Sequence, residues 1–282
     1  MEELTDRVAV ITGGGSGIGE AMALAFADAG MDVAIGDIEI AQAERVAEQV
    51  RKAGRKALAV RTDVTDAVSV EAFAEQIYAA LGSCDVLCNN AGVLVMGAIQ
   101  DRSLQDWEWV INVNLRGVVH SLAAFVPRMI AAQRGGHIVN TGSSTSLFAL
   151  PANALYTTTK YAVMGLSESL RFDLADAGIG VSVLCPGGVK TALLRGQRNR
   201  PEELGDYKLS RDDVIKNMEG SDAANAEMID PARVAELVVR AVRSGDFYVI
   251  THPGSKQTVA RRFDELAAAY DRALERDKRE LA

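Results

Sequence analysis

Tyr156 and Lys160 are four residues apart, in the stretch Tyr-Thr-Thr-Thr-Lys. On a helix this spacing places both side chains on one face, one above the other. A tyrosine, with a reference pKa of about 10, is a poor base at neutral pH. An ammonium about 4 Å from the phenol, at an effective dielectric constant of about 20, contributes ~4 kcal/mol towards the phenolate and lowers this pKa by ~3 units. The pair can therefore carry out acid–base chemistry if the amine lies near the phenol, although such pairs also occur on solvated helix faces.

Two further polar motifs follow apolar segments that are typical of strands. A serine-rich turn, Thr141-Gly142-Ser143-Ser144-Thr145-Ser146, places Ser143 thirteen residues before Tyr156. The run Asn89-Asn90-Ala91-Gly92 follows another short apolar segment. Ligands of open α/β sheets bind at the carboxyl ends of the strands. We therefore expect these motifs and the Tyr-Lys pair at one edge of a sheet.

A glycine-rich turn, Thr12-Gly13-Gly14-Gly15-Ser16-Gly17-Ile18-Gly19, connects the first apolar segment to a helical pattern. Its spacing is G-x-x-x-G-x-G, through Gly13, Gly17 and Gly19, rather than G-x-G-x-x-G. Glycine permits positive φ and a close approach of the backbone to a pyrophosphate, and the amides at the start of the helix then face the anion. The turn predicts a dinucleotide-binding site.

Two aspartates end predicted strands beside this turn. Asp37 follows Gly19 by eighteen residues, where a carboxylate accepts hydrogen bonds from an adenosine ribose and repels a 2′-phosphate. It also suits the cap of a helix beginning near Glu39. Asp63, in Thr62-Asp63-Val64, suits contact with an adenine and equally suits the cap of the next helix. Asp37 favours NAD over NADP, because charge opposes the extra phosphate and the turn contains no Lys or Arg.

Short apolar segments alternate with helical patterns, starting with a strand at Arg7–Ile11 and a helix at Ile18–Ala29. The other predicted strands are Asp32–Gly36, Ala57–Arg61, Val86–Cys88, His137–Asn140, Val181–Leu184 and Phe247–Ile250. Parallel strands need connections long enough for a helix, and fully apolar strands are covered on both faces. The pattern predicts an α/β protein: a single doubly wound Rossmann-type domain at 1–282, with a parallel sheet of about seven strands and helices on both faces.

Two segments interrupt this alternation. Residues Arg195–Asn225 are polar and lie between a predicted strand and a helix opened by Asp230-Pro231, where the aspartate caps and the proline occupies the first turn. We expect a substrate lid at 192–225. The chain then continues past its last strand, and apolar residues at spacings of three and four predict a C-terminal helical extension at 252–282 that packs on the domain or on a second subunit. These residues are Val259, Phe263, Leu266, Tyr270 and Leu274.

Several ordered motifs resemble the short-chain dehydrogenase/reductase family. They are the glycine turn, Asn89–Gly92, Asn114 in Asn-Val-Asn-Leu-Arg-Gly, Ser143, Tyr156 to Lys160, and Pro186-Gly187-Gly188-Val189-Lys190-Thr191. The resemblance covers about Leu4 to Thr251. It implies an NAD-dependent oxidoreductase, a short-chain alcohol dehydrogenase or ketoreductase, that transfers a hydride between nicotinamide and a secondary alcohol or ketone. It also implies a homodimer or homotetramer.

The same resemblance assigns a catalytic tetrad. Ser143 holds the substrate oxygen, Tyr156 exchanges its proton, Lys160 and the positive nicotinamide lower the pKa of the tyrosine, and Asn114 anchors a water for proton relay. The residues implied in cofactor binding are Gly13, Ser16, Gly17, Ile18, Gly19, Asp37, Asp63, Val64, Asn90, Ala91, Gly92, Tyr156, Lys160, Pro186, Gly187, Val189 and Thr191. Of these, the Asn-Asn-Ala-Gly run steadies the central sheet, and the Pro-Gly segment with Thr191 embraces the nicotinamide carboxamide.

The expected substrate pocket is mostly apolar. It consists of Leu94, Met96, Phe148, Leu150 and Leu193, although several of these also suit a core. They favour a medium-sized, largely hydrophobic secondary alcohol or ketone. Arg195, Arg198 and Arg200 offer the alternative of an acidic substrate gripped from the lid.

Composition excludes several other classes of protein. With 48% hydrophobic and 24% charged residues among 282, the chain can bury a large core, and its net charge of −8 argues against a nucleic-acid or anionic-membrane partner. The acidic amino terminus and short first apolar run favour a cytoplasmic protein. Cys84, Cys88 and Cys185 lack metal-ligand spacing, so we expect buried free thiols and no metal.

Two other functions remain open at this point. One is a catalytically idle NAD-binding sensor or scaffold, which the intact tetrad disfavours. The other is a nucleotide-sugar epimerase or dehydratase of the extended branch of the superfamily. That branch has the turn T-G-x-x-G-x-x-G and a larger C-terminal sugar domain, neither of which this sequence contains.

Overall fold

The computed structural model, which describes residues 1–205 and 228–280, contains a seven-stranded sheet in which all paired strands are parallel. The strands are β1 (Val8–Thr12), β2 (Asp32–Asp37), β3 (Ala57–Arg61), β4 (Val86–Asn89), β5 (Gly136–Thr141), β6 (Ile179–Cys185) and β7 (Tyr248–Ile250). Their order is β3-β2-β1-β4-β5-β6-β7. The order reverses between β1 and β4, which leaves a crevice at the carboxyl ends of the strands there.

Helices lie between these strands, and one follows the last strand. They are α1 (Gly17–Asp28), α2 (Ile40–Lys52), α3 (Ala67–Leu81), α4 (Leu104–Ile111), α5 (Gly117–Ala132), α6 (Ala154–Asp173), α7 (Pro231–Ser244) and α8 (Lys256–Glu280). Strand β1 feeds α1 directly through the glycine turn. Asp230 caps α7 by accepting a hydrogen bond from the amide of Ala232, and Pro231 occupies the first turn, as the sequence predicts.

The two faces of the sheet carry separate apolar cores. On one face α1, α2 and α7 pack through side chains such as Phe26, Val46 and Val238. On the other face α3, α5 and α6 pack through side chains such as Phe125 and Val163. Helices therefore cover both faces, and the predicted doubly wound Rossmann-type fold is confirmed.

The predicted strand positions are correct, but several bounds differ. Only Ala57–Arg61 matches at both ends. The fifth and sixth strands are longer than predicted, because the flanking residues Gly136, Ile179 and Cys185 also pair with neighbouring strands. Apolar runs mark the buried centre of a strand, whereas pairing extends to residues of any type.

One run among the described residues, Leu104–Ala132, is long and apolar enough to cross a membrane by length and composition. It comprises α4, a π-helical segment at Asn112–Arg116, and α5. Half of the most apolar stretch of this run is buried in the domain. Trp109 and Phe125, for example, lie in apolar cores of the domain. This is the packing of a helix in the core of a globular domain.

The C-terminal extension is helical, as predicted, from Lys256 to Glu280. The apolar face does not pack on the body of the chain, since α8 has no buried residue and Phe263 and Tyr270 are 55% and 67% exposed. The guanidinium of Arg262 lies 5.3 Å from the ring centroid of Tyr161 in α6. Of the predicted lid, residues 206–225 lie outside the described residues, and two 3₁₀ segments occupy Leu193–Asn199 and Glu202–Leu204.

Candidate active site

Tyr156 and Lys160 lie one turn apart at the start of α6, and both side chains are buried on one face. The Lys160 Nζ atom lies 5.4 Å from the centroid of the Tyr156 ring. It donates a hydrogen bond of 2.7 Å to the backbone carbonyl of Thr141, the last residue of β5. The spacing in the sequence thus places the amine against the phenol ring and ties it to the carboxyl end of a central strand.

Ser143 joins this pair from the turn after β5. Its side chain lies close enough to the phenol of Tyr156 to lower the pKa of that group, and its hydroxyl oxygen accepts a hydrogen bond from the amide of Thr145 at 3.2 Å. The neighbouring Ser146 hydroxyl donates to the carbonyl of Lys160 at 2.8 Å. The serine-rich turn is therefore fixed to α6, and Ser143 faces the phenol.

The protonation of this pair differs from the sequence-based expectation. Burial raises the pKa of Tyr156 to about 12, and the nearby Ser143 hydroxyl acts in the opposite direction, lowering it. Burial also lowers the pKa of Lys160 to about 8. Without a bound cofactor, the pKa of Tyr156 is therefore raised and not lowered as we expected. The effect of burial on this pKa is larger than the effect of the Lys160 charge.

Asn114 lies in the π-helical segment between α4 and α5 and is buried. Its amide Oδ1 accepts a hydrogen bond from the Val93 amide at 2.8 Å, and its Nδ2 donates to the Val93 carbonyl at 2.9 Å. Nδ2 also lies 3.2 Å from the hydroxyl oxygen of Thr159, to which it donates. The side chain thus joins the segment after β4 to α6. No helix propensity in the sequence signals this π-helical segment, a feature that often marks functional sites.

In the glycine turn, two glycines lie so close to neighbouring backbone that a side chain would not fit. Gly13 has φ +63°, and a Cβ on it would lie 2.7 Å from Cα of Ala91. A Cβ on Gly19 would lie 2.1 Å from the carbonyl oxygen of Gly13. Asn90 secures the turn from the other side, because its Nδ2 donates to the carbonyls of Thr12 and Gly13 at 3.2 and 3.1 Å. Only glycine fits at these two positions.

The start of α1 is open to an anion. Ser16 is the N-cap residue of α1, and its side chain makes no capping hydrogen bond. The first amides of a helix lack partners within the helix and carry the positive end of its dipole. Across the crevice the hydroxyl of Thr141 is buried, lines the cleft and has no hydrogen-bond partner in the described structure. A dinucleotide fits this set of donors and this glycine cradle.

Asp37 and Asp63 line the same cleft. Asp37 accepts hydrogen bonds from the amides of Gly15 and Glu39 at 2.8 and 2.9 Å, and burial raises its pKa. The N-cap residue of α2 is Glu39, so Asp37 precedes the helix rather than capping it. Asp63 accepts from Thr65, and the cap of α3 is Asp66. The alternative role of Asp63 as a helix cap is therefore wrong.

One cleft along the carboxyl edge brings most of the predicted site residues together. The predicted residues that line it are Gly13, Ser16, Gly17, Ile18, Asp37, Asp63, Val64, Asn90, Ala91, Gly92, Tyr156, Lys160, Pro186, Thr191 and Leu193. Ser143 and Asn114 are not among these lining residues, but Asn114 forms hydrogen bonds with the backbone of Val93, which is one of them. Gly187 donates its amide to Thr251 and His252, and Val189 pairs with Ile229, so both shape the segment after β6.

The apolar part of the cleft differs from the expected substrate pocket. Of the five expected residues only Leu193 lines it. Met96 and Phe148 are buried away from the lining, and Leu94 and Leu150 are half-buried outside it. Val93, Trp109 and Val113 line it instead. The helical spacing of Trp109 and Val113 is a signal that sequence analysis can use, but their orientation depends on how α4 and the π-helical segment pack.

Two of the three arginines at the start of the predicted lid, Arg198 and Arg200, have acidic partners within the chain. Arg198 forms an ion pair with Glu39 at 2.7 Å. Arg200 is buried, forms an ion pair with Asp106 at 2.8 Å, and stacks on Trp109 with 5.2 Å between the guanidinium carbon and the ring centroid. This pairing disfavours the alternative in which these two side chains grip an acidic substrate.

The three cysteines are free and buried, as expected. Within residues 1–205 and 228–280 no group of three His, Cys, Asp or Glu side chains is arranged to hold a metal ion.

Comparison with known proteins decides the family. The family model described as short chain dehydrogenase matches residues 7–202. The chain belongs to the short-chain dehydrogenase family. A C alpha-dehydrogenase from Sphingobium sp. (strain NBRC 103272 / SYK-6) is 30% identical to this short-chain dehydrogenase over 268 residues, which cover 94% of this chain and 87% of the relative.

Solved structures of the family share this architecture. A short chain dehydrogenase/reductase from Burkholderia phymatum in complex with NAD superimposes with a TM-score of 0.88 at 36% identity, covering 95% of this chain and 97% of that chain. A metagenomic short-chain oxidoreductase in complex with NADP gives a TM-score of 0.68 at 29% identity, covering 86% and 93%. This short-chain dehydrogenase is therefore a member of a family of oxidoreductases that use a nicotinamide dinucleotide.

Proposed function

We propose that this short-chain dehydrogenase is an NAD(H)-dependent oxidoreductase that interconverts a secondary alcohol and a ketone. The observation that carries the proposal is the position of Lys160 against the ring of Tyr156, with Ser143 near the phenol, in a cleft that also contains the glycine turn. A hydroxyl that exchanges a proton therefore lies beside a site for the hydride carrier.

The cofactor-binding residues follow from the cleft. Gly13 to Gly19 and the open start of α1 would hold the pyrophosphate, Asp37 the adenosine ribose, and the segment Pro186–Thr191 the nicotinamide. When bound, the nicotinamide supplies or accepts the hydride. The carboxylate of Asp37 opposes a 2′-phosphate, so we expect a higher kcat/KM with NAD than with NADP. Asp37→Ala should relax this preference.

The proton is moved by the chain's own side chains. Ser143 holds the substrate oxygen by a hydrogen bond, and Tyr156 donates its proton to that oxygen in reduction or accepts it in oxidation. Lys160 lies over the tyrosine ring, and its positive charge favours the phenolate. Asn114 fixes the segment after β4 against α6. We propose that it also anchors a water molecule that relays the proton.

The substrate we propose is medium-sized and largely hydrophobic. Val93, Trp109, Val113 and Leu193 supply the apolar surface of the cleft. Arg198 and Arg200 are paired with Glu39 and Asp106, and this pairing disfavours binding of a substrate carboxylate by these two cations. Apolar walls with few polar groups suit binding of an alcohol through its hydrocarbon part.

We also propose that the protein is a homodimer or homotetramer. The exposed side chains Phe263, Leu266, Tyr270 and Leu274 form an apolar face on α8 that a second subunit would cover. Sedimentation equilibrium on the full chain tests this, and a monomer at micromolar concentration would contradict it.

The activity is tested by a panel of secondary alcohols with NAD, in which the absorbance of the reduced nicotinamide reports turnover. Aromatic and cyclic secondary alcohols should give higher kcat/KM than polyols and hydroxy acids. A clear preference for the polar compounds would overturn the substrate assignment. Tight NAD binding without turnover of any alcohol or ketone would instead indicate a catalytically idle sensor or scaffold.

A further inference from the structure

An ion pair crosses the mouth of the cleft. Arg198 and Asn199 follow β6, and Glu39 follows β2, with β1, β4 and β5 between these strands in the sheet. Both Nη2 and Nε of Arg198 donate to Oε2 of Glu39, at 2.7 and 3.1 Å. Asn199 Nδ2 lies 3.3 Å from the same oxygen and donates to it. Glu39 therefore holds a guanidinium brought from the opposite half of the sheet.

This pair lies beside Asp37. Asp37, Glu39, Arg198 and Asn199 line the same cleft. The two members of the pair act on the Asp37 carboxyl in opposite directions: the charge of Glu39 raises its pKa and the charge of Arg198 lowers it. The guanidinium is thus within electrostatic reach of the position where Asp37 would meet the adenosine ribose.

A second arginine near the same position is also held by a carboxylate. Arg45 donates to both carboxylate oxygens of Glu20, at 2.7 and 2.8 Å, and to the carbonyl of Gly15 at 3.1 Å. The amide of Gly15 in turn donates to Asp37. Around Asp37, acidic partners thus hold both of these guanidinium groups.

We infer that Glu39 is a second residue that selects NAD over NADP, and that it does so by occupying Arg198. A guanidinium binds a phosphate through paired, charge-assisted hydrogen bonds. Arg198 engaged on Glu39 is withheld from a 2′-phosphate, whereas Arg198 released from Glu39 is free to bind one. This inference rests on the proposed function, in which a dinucleotide binds with its ribose at Asp37.

The mechanism differs from that of Asp37. Asp37 repels a 2′-phosphate directly, whereas Glu39 removes the cation that would attract it. The side chains of Arg198 and Glu39 are 38% and 32% exposed, so solvent weakens their ion pair. When Glu39 is replaced by a neutral residue, Arg198 is therefore available to a 2′-phosphate. Removing the repulsion of Asp37 first makes the contribution of Glu39 measurable.

The experiment measures dissociation constants of NAD⁺ and NADP⁺ by titration calorimetry, so that its readout does not depend on turnover. The variants are Asp37→Ser, Asp37→Ser with Glu39→Gln, and the triple variant that adds Arg198→Met. Asp37→Ser with Glu44→Gln is the matched control, because Glu44 lies in α2, the helix that begins directly after Glu39, and pairs with Arg51 instead. Glu39→Gln should tighten NADP⁺ binding about tenfold over Asp37→Ser alone, as one added charge-assisted contact implies.

The triple variant and the control decide the cause of any gain. Arg198→Met should abolish the tighter NADP⁺ binding, and Glu44→Gln should not produce it. Relative to Asp37→Ser alone, NAD⁺ binding should change less than about twofold in each of the other variants. An NADP⁺ affinity unchanged by Glu39→Gln, or a gain that persists with Arg198→Met, would overturn the inference while leaving the proposed function intact. A wild-type chain that binds neither dinucleotide would refute both.

Discussion

Lys160 lies against the ring of Tyr156, with its Nζ 5.4 Å from the ring centroid, while the same amine donates to the carbonyl of Thr141. Both side chains are buried, so the protein has removed a lysine and a tyrosine from solvent at one place. Burial disfavours the charged form of each side chain, so it changes the pKa values of both and the pH dependence of the protein's stability.

In the free protein, Tyr156 should remain protonated throughout the neutral and mildly alkaline range, because burial raises its pKa to about 12. Ultraviolet absorbance of tyrosinate, compared between wild type and Tyr156→Phe, measures this. The two proteins should titrate alike up to a pH of about 10.

Bound NAD should change that result, since a positive nicotinamide favours the phenolate. With saturating NAD, the rate of alcohol oxidation should rise with pH through an apparent pKa below the ordinary tyrosine value, which belongs to the Tyr156–Lys160 pair rather than to either residue. A flat profile between pH ~6 and ~9, with hydride transfer rate-limiting, would argue against Tyr156 as the proton-transfer group.

Replacing Lys160 by Met should stabilise the free protein at neutral pH. Burial lowers the pKa of Lys160 from an ordinary 10.5 to about 8, so charging this amine costs the folded state about 3 kcal/mol. The unfolded chain binds the proton more tightly, and the stability of the wild type therefore rises as pH increases from about 8 to about 10.5.

Thermal unfolding of the two proteins across this pH range provides the measurement. Lys160→Met should have the higher Tm at pH ~7, and the difference should shrink as pH rises towards ~10. A difference that stays constant with pH would show that packing, rather than the buried charge, sets the stability of this position.

Much of this fold is readable from the sequence because its signals are local. Alternating apolar runs locate all seven strands, and the glycine turn identifies the start of α1. The residues Asp230 and Pro231 open α7 by their own chemistry. In each case the residue type restricts the backbone at that position, so no distant contact is needed for the prediction.

The parts that the sequence did not predict depend on distant contacts. Whether Met96 or Val93 faces the cleft depends on the path of the chain after β4, which Asn114 fixes from the segment between α4 and α5. The pairing of Arg198 with Glu39 joins positions far apart in the chain. A hydrophobic or charged residue type is compatible with several such arrangements, and only packing selects one.

Gly19→Ala should abolish dinucleotide binding, because its new Cβ would lie 2.1 Å from the carbonyl oxygen of Gly13 and displace the turn. Gly165→Ala in α6 is the control, since nothing lies within 4 Å of its Cβ and alanine favours a helix by about 1 kcal/mol over glycine. Titration with NAD should show binding at least about tenfold weaker for the first variant and unchanged for the second. Equal affinity in both variants would contradict the role of the glycine turn.

The central claim, that Tyr156 transfers the proton while the dinucleotide is held elsewhere, is tested most directly by Tyr156→Phe. The turnover number for the best secondary alcohol and the dissociation constant of NAD should be measured on the same preparation. The account predicts that turnover falls at least about a hundredfold while NAD affinity stays within a few-fold, because general acid–base catalysis contributes about 10²–10⁴-fold to a rate. Retention of about a tenth or more of the wild-type turnover would contradict it.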